Sequence, residues 1–257
     1  MVVEDITAIE QKAHLLIGEH KYQDAGELYY QAAKVLQKEG KHDRAAICLA
    51  ASASSLALIF GERTFHRIAS LYEEAAEEAE NSKDFEYASM LFKHAAIAYE
   101  RDHDNNAFSE CFYKSKEAYR KFLVFDLFQT QKKDENVEIK FNLKMIRRRI
   151  IPLFSITFAS LLWGHGERPH RTVLFGFVLI LLCAVLYTHG HFHKDNVIVN
   201  PNLFQATYFS FTNFTKVGAE SLNPIGFNKA IAVIEAFSGI FIIPLFLTGL
   251  CRKYLRF

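Results

Sequence analysis

The chain has 257 residues, half of them hydrophobic, and its 30 basic and 29 acidic side chains leave a formal charge of +1. A balance this close to neutral, without a nucleic-acid motif, gives no electrostatic footprint for DNA or RNA. Four cysteines without C-x-x-C spacing exclude a disulfide or zinc framework and point to buried, reduced thiols. Before Arg149 the sequence is charged and rich in Ala, Glu, Lys and Tyr. After it Phe, Leu, Ile and Val dominate. Two physical classes are therefore joined in one chain.

Residues 1–20 are polar and helix-patterned, with no apolar core and cleavage site of a secretion signal, so the first half is expected in the cytoplasm. Three segments there repeat one local pattern, an apolar residue and an aromatic followed by two alanines: Leu28, Tyr29, Ala32 and Ala33; Leu71, Tyr72, Ala75 and Ala76; Leu91, Phe92, Ala95 and Ala96. At helical spacing these share one face, and the alanines let a neighbouring helix approach closely. Short polar breaks near residues 20, 40, 61, 82 and 103 divide residues 1–122 into six helices, the length scale of helix-turn-helix solenoids.

The texture KYQDAGELYYQAAKVLQKEGKHDRAAICLAASAS resembles tetratricopeptide repeats and, more closely, soluble NSF attachment protein-like repeats, across residues 5–122. An ordinary helical bundle is the alternative. Either implies a protein-binding or assembly module with a cytoplasmic protein partner. Glu62, Glu73, Glu74, Glu77, Glu78, Glu80, Asp84 and Glu86 make one stretch acidic, read as a solvated helix face. Residues 123–149 form a basic juxtamembrane linker, whose Lys and Arg gain about 1 kcal/mol each beside an anionic leaflet.

The membrane half is residues 150–257. Its first run, 150–163, is apolar but shorter than the roughly 20 residues a span needs, and predicts a helix lying along the cytoplasmic surface. Gly164, His165, Gly166, Glu167, Arg168 and Pro169 form a turn before the first span, at about residues 172–188, with Pro169 favouring a helix start. Arginines at 147–149, 168 and 171 flank that span, and Arg252, Lys253 and Arg256 follow the second, which places both termini of this multi-pass membrane protein inside the cell.

Between the spans stands ATYFSFTNFTKVGAES, residues 206–221, followed by Pro224 and a long apolar helix. It aligns without gaps on A-L-Y-F-S-F-V-T-L-T-T-V-G-Y-G-D, and the segment resembles the pore half of two-transmembrane potassium-channel-like proteins. The resemblance implies an all-α fold: a cytoplasmic helical-repeat domain plus a two-span pore domain with a re-entrant pore helix at 204–215 and a filter loop. It also implies a tetramer around one axis. Its filter positions are Thr215, Lys216, Val217, Gly218, Ala219 and Glu220. Lys216, Ala219, Glu220 and Ser221 replace the family's Thr, Tyr, Gly and Asp, so a potassium-type filter is not expected.

Four Glu220 side chains would attract cations and four Lys216 would repel them, so the direction of Lys216 decides between a cation path and a closed or anion-favouring one. Gly239 and Pro244 stand where a hinge would kink the second span; close packing and a static bend are the alternatives. Glu235, an ionisable group within that span, is expected to brace the pore through Thr212, Asn213 or Thr215, or to pair with Lys216. His189, His191 and His193 alternate outside the first span, as exposed residues or as a metal or pH site. No nucleophile–base pair or cofactor motif is visible, so the chain is not read as an enzyme. A channel for monovalent cations, assembled or gated by the repeat domain, is expected; the alternative is a non-conducting membrane-anchored adaptor.

Overall fold

A computed structural model describes residues 2–59, 64–133, 150–194, 197–218 and 222–254. The chain divides into two compact units, 1–158 and 159–257. In the first, α1 (Val2–Gly18), α2 (Tyr22–Lys38), α3 (His42–Ala57), α4 (Phe65–Asn81), α5 (Phe85–Arg101) and α6 (Asn105–Lys133) each pack against the next. The alanine pairs Ala32 and Ala33, Ala75 and Ala76, and Ala95 and Ala96 are all buried beside Leu36, Leu49, Leu71 and Phe92. Small residues at these positions bring the helix axes together and leave the large apolar side chains to fill the core between them.

Four helices end the same way. His20, Gly40, Lys83 and His103 adopt left-handed φ angles of 61°, 72°, 66° and 59°. The next residue then donates its N–H back across the last turn: Lys21 to Leu16 at 2.9 Å, Lys41 to Leu36 at 3.0 Å, Asp84 to Ala79 at 2.9 Å and Asp104 to Tyr99 at 3.0 Å. These bonds satisfy the orphan carbonyls at each helix end and reverse the chain within two or three residues.

The acidic run of α4 is not the solvated face expected of it. Alternate helices lie side by side, so α4 sits between α2 and α6 and its glutamates meet their basic and amide groups. Glu74 pairs with Lys34 and accepts from Gln37 at 2.8 Å; Glu78 meets Gln37 at 2.9 Å and His42 at 2.6 Å. On the other flank Lys114 reaches Glu73 at 2.8 Å and Glu77 at 3.3 Å, and Lys121 reaches Glu80 at 3.0 Å. Burial opposes the Lys114 charge, but the hydrogen bond and charge of Glu73, with Glu77, outweigh it and hold its pKa above the ordinary lysine value.

Residue 122, the expected end of the repeat domain, falls inside α6. Nothing between 122 and 133 breaks a helix, since neither Gly nor Pro occurs there, and Phe125 packs edge-on against Phe85 with ring centroids 5.8 Å apart. Residues 134–149, the rest of the expected linker, lie outside the described residues.

Beyond them α7 (Ile151–Trp163) leads into a 3-10 turn (Gly164–Gly166), α8 (Pro169–Thr188), a short helix α9 (Leu203–Thr215) and a long one, α10 (Phe227–Tyr254). Only α8 and α10 among the described helices are long and apolar enough to cross a membrane. The membrane half is not wholly helical. β1 (Phe192–Lys194) pairs antiparallel with β2 (Val197–Val199) and with β3 (Asn223–Pro224), in the order β2-β1-β3. The β-branched run Val197, Ile198 and Val199 favours strand, and Pro224 sits on an edge where its missing N–H costs no ladder bond.

The turn before α8 is left-handed at Gly164, His165 and Gly166, with φ of 57°, 58° and 89°. It meets the end of α10. Glu167, only 1% exposed at its side chain, accepts from Arg252 at 3.1 Å, and a Cβ on Gly166 would lie 3.1 Å from the same guanidinium. Gly249 lets α10 pass close to Pro169, where an added Cβ would stand 3.4 Å from the proline ring. The start of one span and the end of the other are thus fastened together.

Candidate functional site

Helix α9 starts on a capping box. The Asn202 side chain accepts from the Gln205 N–H at 2.8 Å, and the Gln205 side chain accepts from the Asn202 N–H at 3.2 Å. This satisfies two orphan donors and fixes where the helix begins. The helix packs against both α8 and α10. Beside its first half, Tyr187 of α8, Phe192 of β1 and Phe209 of α9 form a triangle of edge-to-face rings, with centroids 5.0 to 5.6 Å apart. Such contacts contribute about 0.5–1.5 kcal/mol each beyond burial.

Glu235 holds the middle of α9. Fully buried, it accepts from Tyr187 Oη at 2.7 Å and Asn213 Nδ2 at 2.9 Å, and its other oxygen meets Ser210 Oγ. Three helices therefore converge on one carboxyl group. Asn213 also donates to the Ala232 carbonyl at 2.9 Å, and Ser210 to that of Ile180 at 2.8 Å. Of the partners expected for Glu235, Asn213 is one. Thr212 and Thr215 bond instead to carbonyls of their own helix, at 3.0 and 2.8 Å. Tyr187 and Ser210 were legible only as an aromatic and a small polar residue, because nothing in a linear sequence aims them at a residue on α10.

At the C-terminal end of α9, Gly239 of α10 lies against its last turn. A Cβ there would fall 2.0 Å from the Phe214 carbonyl oxygen, so no side chain fits without displacement. Pro244 lies within α10, which runs unbroken from Phe227 to Tyr254.

Thr215 is the last residue of α9. Lys216 follows in the left-handed region at φ 60° and is exposed; Val217 is 80% exposed, and Gly218 turns the chain at φ 98°. Ala219, Glu220 and Ser221 lie outside the described residues, so the expected juxtaposition of Lys216 and Glu220 does too. The C-terminal end of a helix carries about half a negative charge, and Lys216 is the residue that follows that end.

The three histidines do not share one extended segment. His189 caps α8 in helical geometry, His193 lies in β1, and His191 between them contacts the Asn200 side-chain oxygen at 2.6 Å. Among the described residues no group of three His, Cys, Asp or Glu side chains is placed to hold a metal ion. Cys48, Cys111 and Cys183 are buried as expected, but Cys251 is exposed on α10.

Two apolar spans embracing a short capped helix, which ends in an exposed loop, form the plan of a pore. Residues 173–256 match the Ion_trans_2 family model, described as ion channel. That ion-channel match begins within α8 and covers α9, its loop and α10, the elements that converge on Glu235. With the two spanning helices it supports a membrane protein of general ion-channel function, and transport in place of catalysis. No curated protein and no solved structure matches the chain significantly.

Proposed function

We propose that the chain is the pore-forming subunit of an oligomeric, tetrameric cation channel with a filter unlike that of potassium channels. The observation that carries this reading is α9 itself, a 13-residue helix wedged between two spans and followed by three exposed residues, Lys216, Val217 and Gly218. Irregular backbone at membrane depth survives only where protein or a water-filled cavity surrounds it, so neighbouring copies are needed to enclose the loop. Cation preference follows from charge. Each chain brings about −0.5 from the helix end, +1 from Lys216 and −1 from Glu220, a sum that stays negative. The helical domain, with residues 1–122 as its repeat core, assembles or gates this pore by binding a cytoplasmic protein, and both termini face the cytoplasm.

The exposed Lys216 favours a second reading. If its ammonium points along the axis while Glu220 does not, cations are repelled and the chain serves as a non-conducting, membrane-anchored adaptor. Mass photometry in nanodiscs gives the subunit number, and reversal potentials in planar bilayers under a salt gradient give the permeant charge. A monomer, or a tetramer without current across all salts tried, removes the channel reading.

A further inference from the structure

Two places in the helical domain are built to one plan and finished differently. Helices α2 and α3 begin at Tyr22 and His42, and α4 and α5 at Phe65 and Phe85, so one step along the sequence carries Tyr29 to Tyr72, Ile47 to Met90 and Ala51 to His94. The later copy is closed. There the His94 imidazole lies on the Tyr72 ring with centroids 5.4 Å apart, and the Tyr72 and Ser54 hydroxyls share a hydrogen bond of 2.9 Å. In the earlier copy alanine stands at the position of that imidazole, and among the described residues no ring stacks on Tyr29. Tyr29 and Ala51 instead line a cleft of about 580 Å³, together with the exposed Ile47. Its walls are tied. Arg44 of α3 donates to both carboxylate oxygens of Glu10 on α1 at 2.9 Å, and the Cys48 thiol meets the same carboxylate at 3.2 Å, which fixes the distance between the two helices. Clefts of this size, mostly apolar with a few polar groups, are where proteins hold ligands.

Resting on the reading of this domain as a protein-binding one, we propose that the cleft takes one aromatic side chain of the cytoplasmic partner. The ring lies on Tyr29 as the imidazole of His94 lies on Tyr72, with Ile47 against its edge. Aromatic pairs gain from such geometry beyond their burial, so an aliphatic side chain of similar size fills the space but binds less well. The later copy supplies the template, and Ala51 supplies the room.

The test is methyl NMR of the full-length protein in nanodiscs, labelled at isoleucine and methionine methyl groups, so that Ile47 reports on the open site and Met90 on the closed one. The probe is the blocked tripeptide acetyl-Gly-Phe-Gly-amide, with acetyl-Gly-Leu-Gly-amide beside it. The phenylalanine peptide should shift Ile47 and leave Met90 unmoved. The leucine peptide should need a roughly threefold higher concentration for half-saturation, the difference one ring-on-ring contact makes. Ala51→His, which gives the earlier copy the ring of the later one, should abolish the Ile47 response. His94→Ala, which only removes atoms, should make Met90 respond in turn. An unmoved Ile47, equal shifts of Ile47 and Met90, no preference for the phenylalanine peptide, or an Ile47 response that survives Ala51→His would each overturn the proposal. So would toluene shifting Ile47 where the peptide does not, because the cleft would then accept a free ring and no chain. The shifts need neither ion current nor a partner. A protein that does not conduct still gives this result, and an unmoved Ile47 leaves the domain its other faces for binding a protein.

Discussion

Gly239 of α10 and Phe214 of α9 stand so close that a single methyl group on the glycine would lie 2.0 Å from the phenylalanine carbonyl oxygen. The contact gives Gly239 a reason to be glycine that needs no bending of α10. Gly239→Ala should push the end of α9 outward and lower stability by about 1–3 kcal/mol, the usual result of overpacking. Thermal melting of the detergent-solubilised oligomer measures this. A variant that melts like the parent but opens and closes at altered rates would instead favour a hinge.

Removing Glu235 should cost more than removing its charge. Glu235→Ala takes the carboxylate from Tyr187 and opens a void beside it, at about 1–3 kcal/mol for that hydroxyl, whereas Asn213 and Ser210 keep the Ala232 and Ile180 carbonyls. Glu235→Gln retains one oxygen and the volume, and should retain most of the stability. Equal melting of the two variants would mean that the network does not hold α9.

Charge at the loop should set the sign of permeation. Glu220→Gln shifts the sum near each loop from about −0.5 to +0.5, and Lys216→Thr shifts it to about −1.5. Cation permeability should fall in the first and rise in the second, read as reversal potentials under a salt gradient. The double variant shows whether the two rings act independently or as a pair.

Glu167 and Arg252 fasten the two spans where the turn meets the end of α10. Arg252→Ala removes one charged partner of the buried Glu167 and should destabilise the membrane half by about 1–3 kcal/mol, the range for a hydrogen bond to a charged group, because the Arg252 side chain is itself 38% exposed. Glu167→Gln with Arg252→Gln should recover part of that loss. Differential scanning fluorimetry in detergent distinguishes the single from the double change.

The helical domain should weaken at alkaline pH. Burial, with the nearby Glu10, pushes the Cys48 thiol up to about 12, and burial with Glu73 raises Tyr99 and Cys111. Lys114 is raised by Glu73 and Glu77 against its burial. A raised folded pKa gives stability that is whole below the unfolded pKa and is lost above it, so the decline starts near the cysteine value of about 8.5 and continues through the tyrosine and lysine range. Urea denaturation of a fragment spanning residues 1–133 at pH 7, 9 and 10 should show falling midpoints. Cys48→Ala should flatten the first part of the slope.

The spans and the helix between them were legible because their signals are local: long apolar runs in α8 and α10, and a filter-like string that ends α9. The alanine pairs likewise announced helices that pack closely. What stayed hidden depends on residues far apart in the chain. Glu74 meets Lys34 across 40 positions, and Tyr187 meets Glu235 across 48, so neither pairing leaves a periodic trace. The strand at Phe192 was missed for a related reason. It and its near partner β2 are only 3 residues long each, and its second partner β3 follows the whole of α9.

The shared left-handed ending at His20, Gly40, Lys83 and His103 has a consequence for how such a chain can change. At these four junctions one helix hands on to the next with the same geometry, and the pairs Glu10–Arg44, Lys34–Glu74 and Glu73–Lys114 set helices two steps apart side by side. Gain or loss of two consecutive helices therefore preserves both the direction of exit and the lateral neighbours. Loss of one would reverse the exit and set unlike faces together. The domain is built to grow or shrink by duplication and deletion in units of two helices.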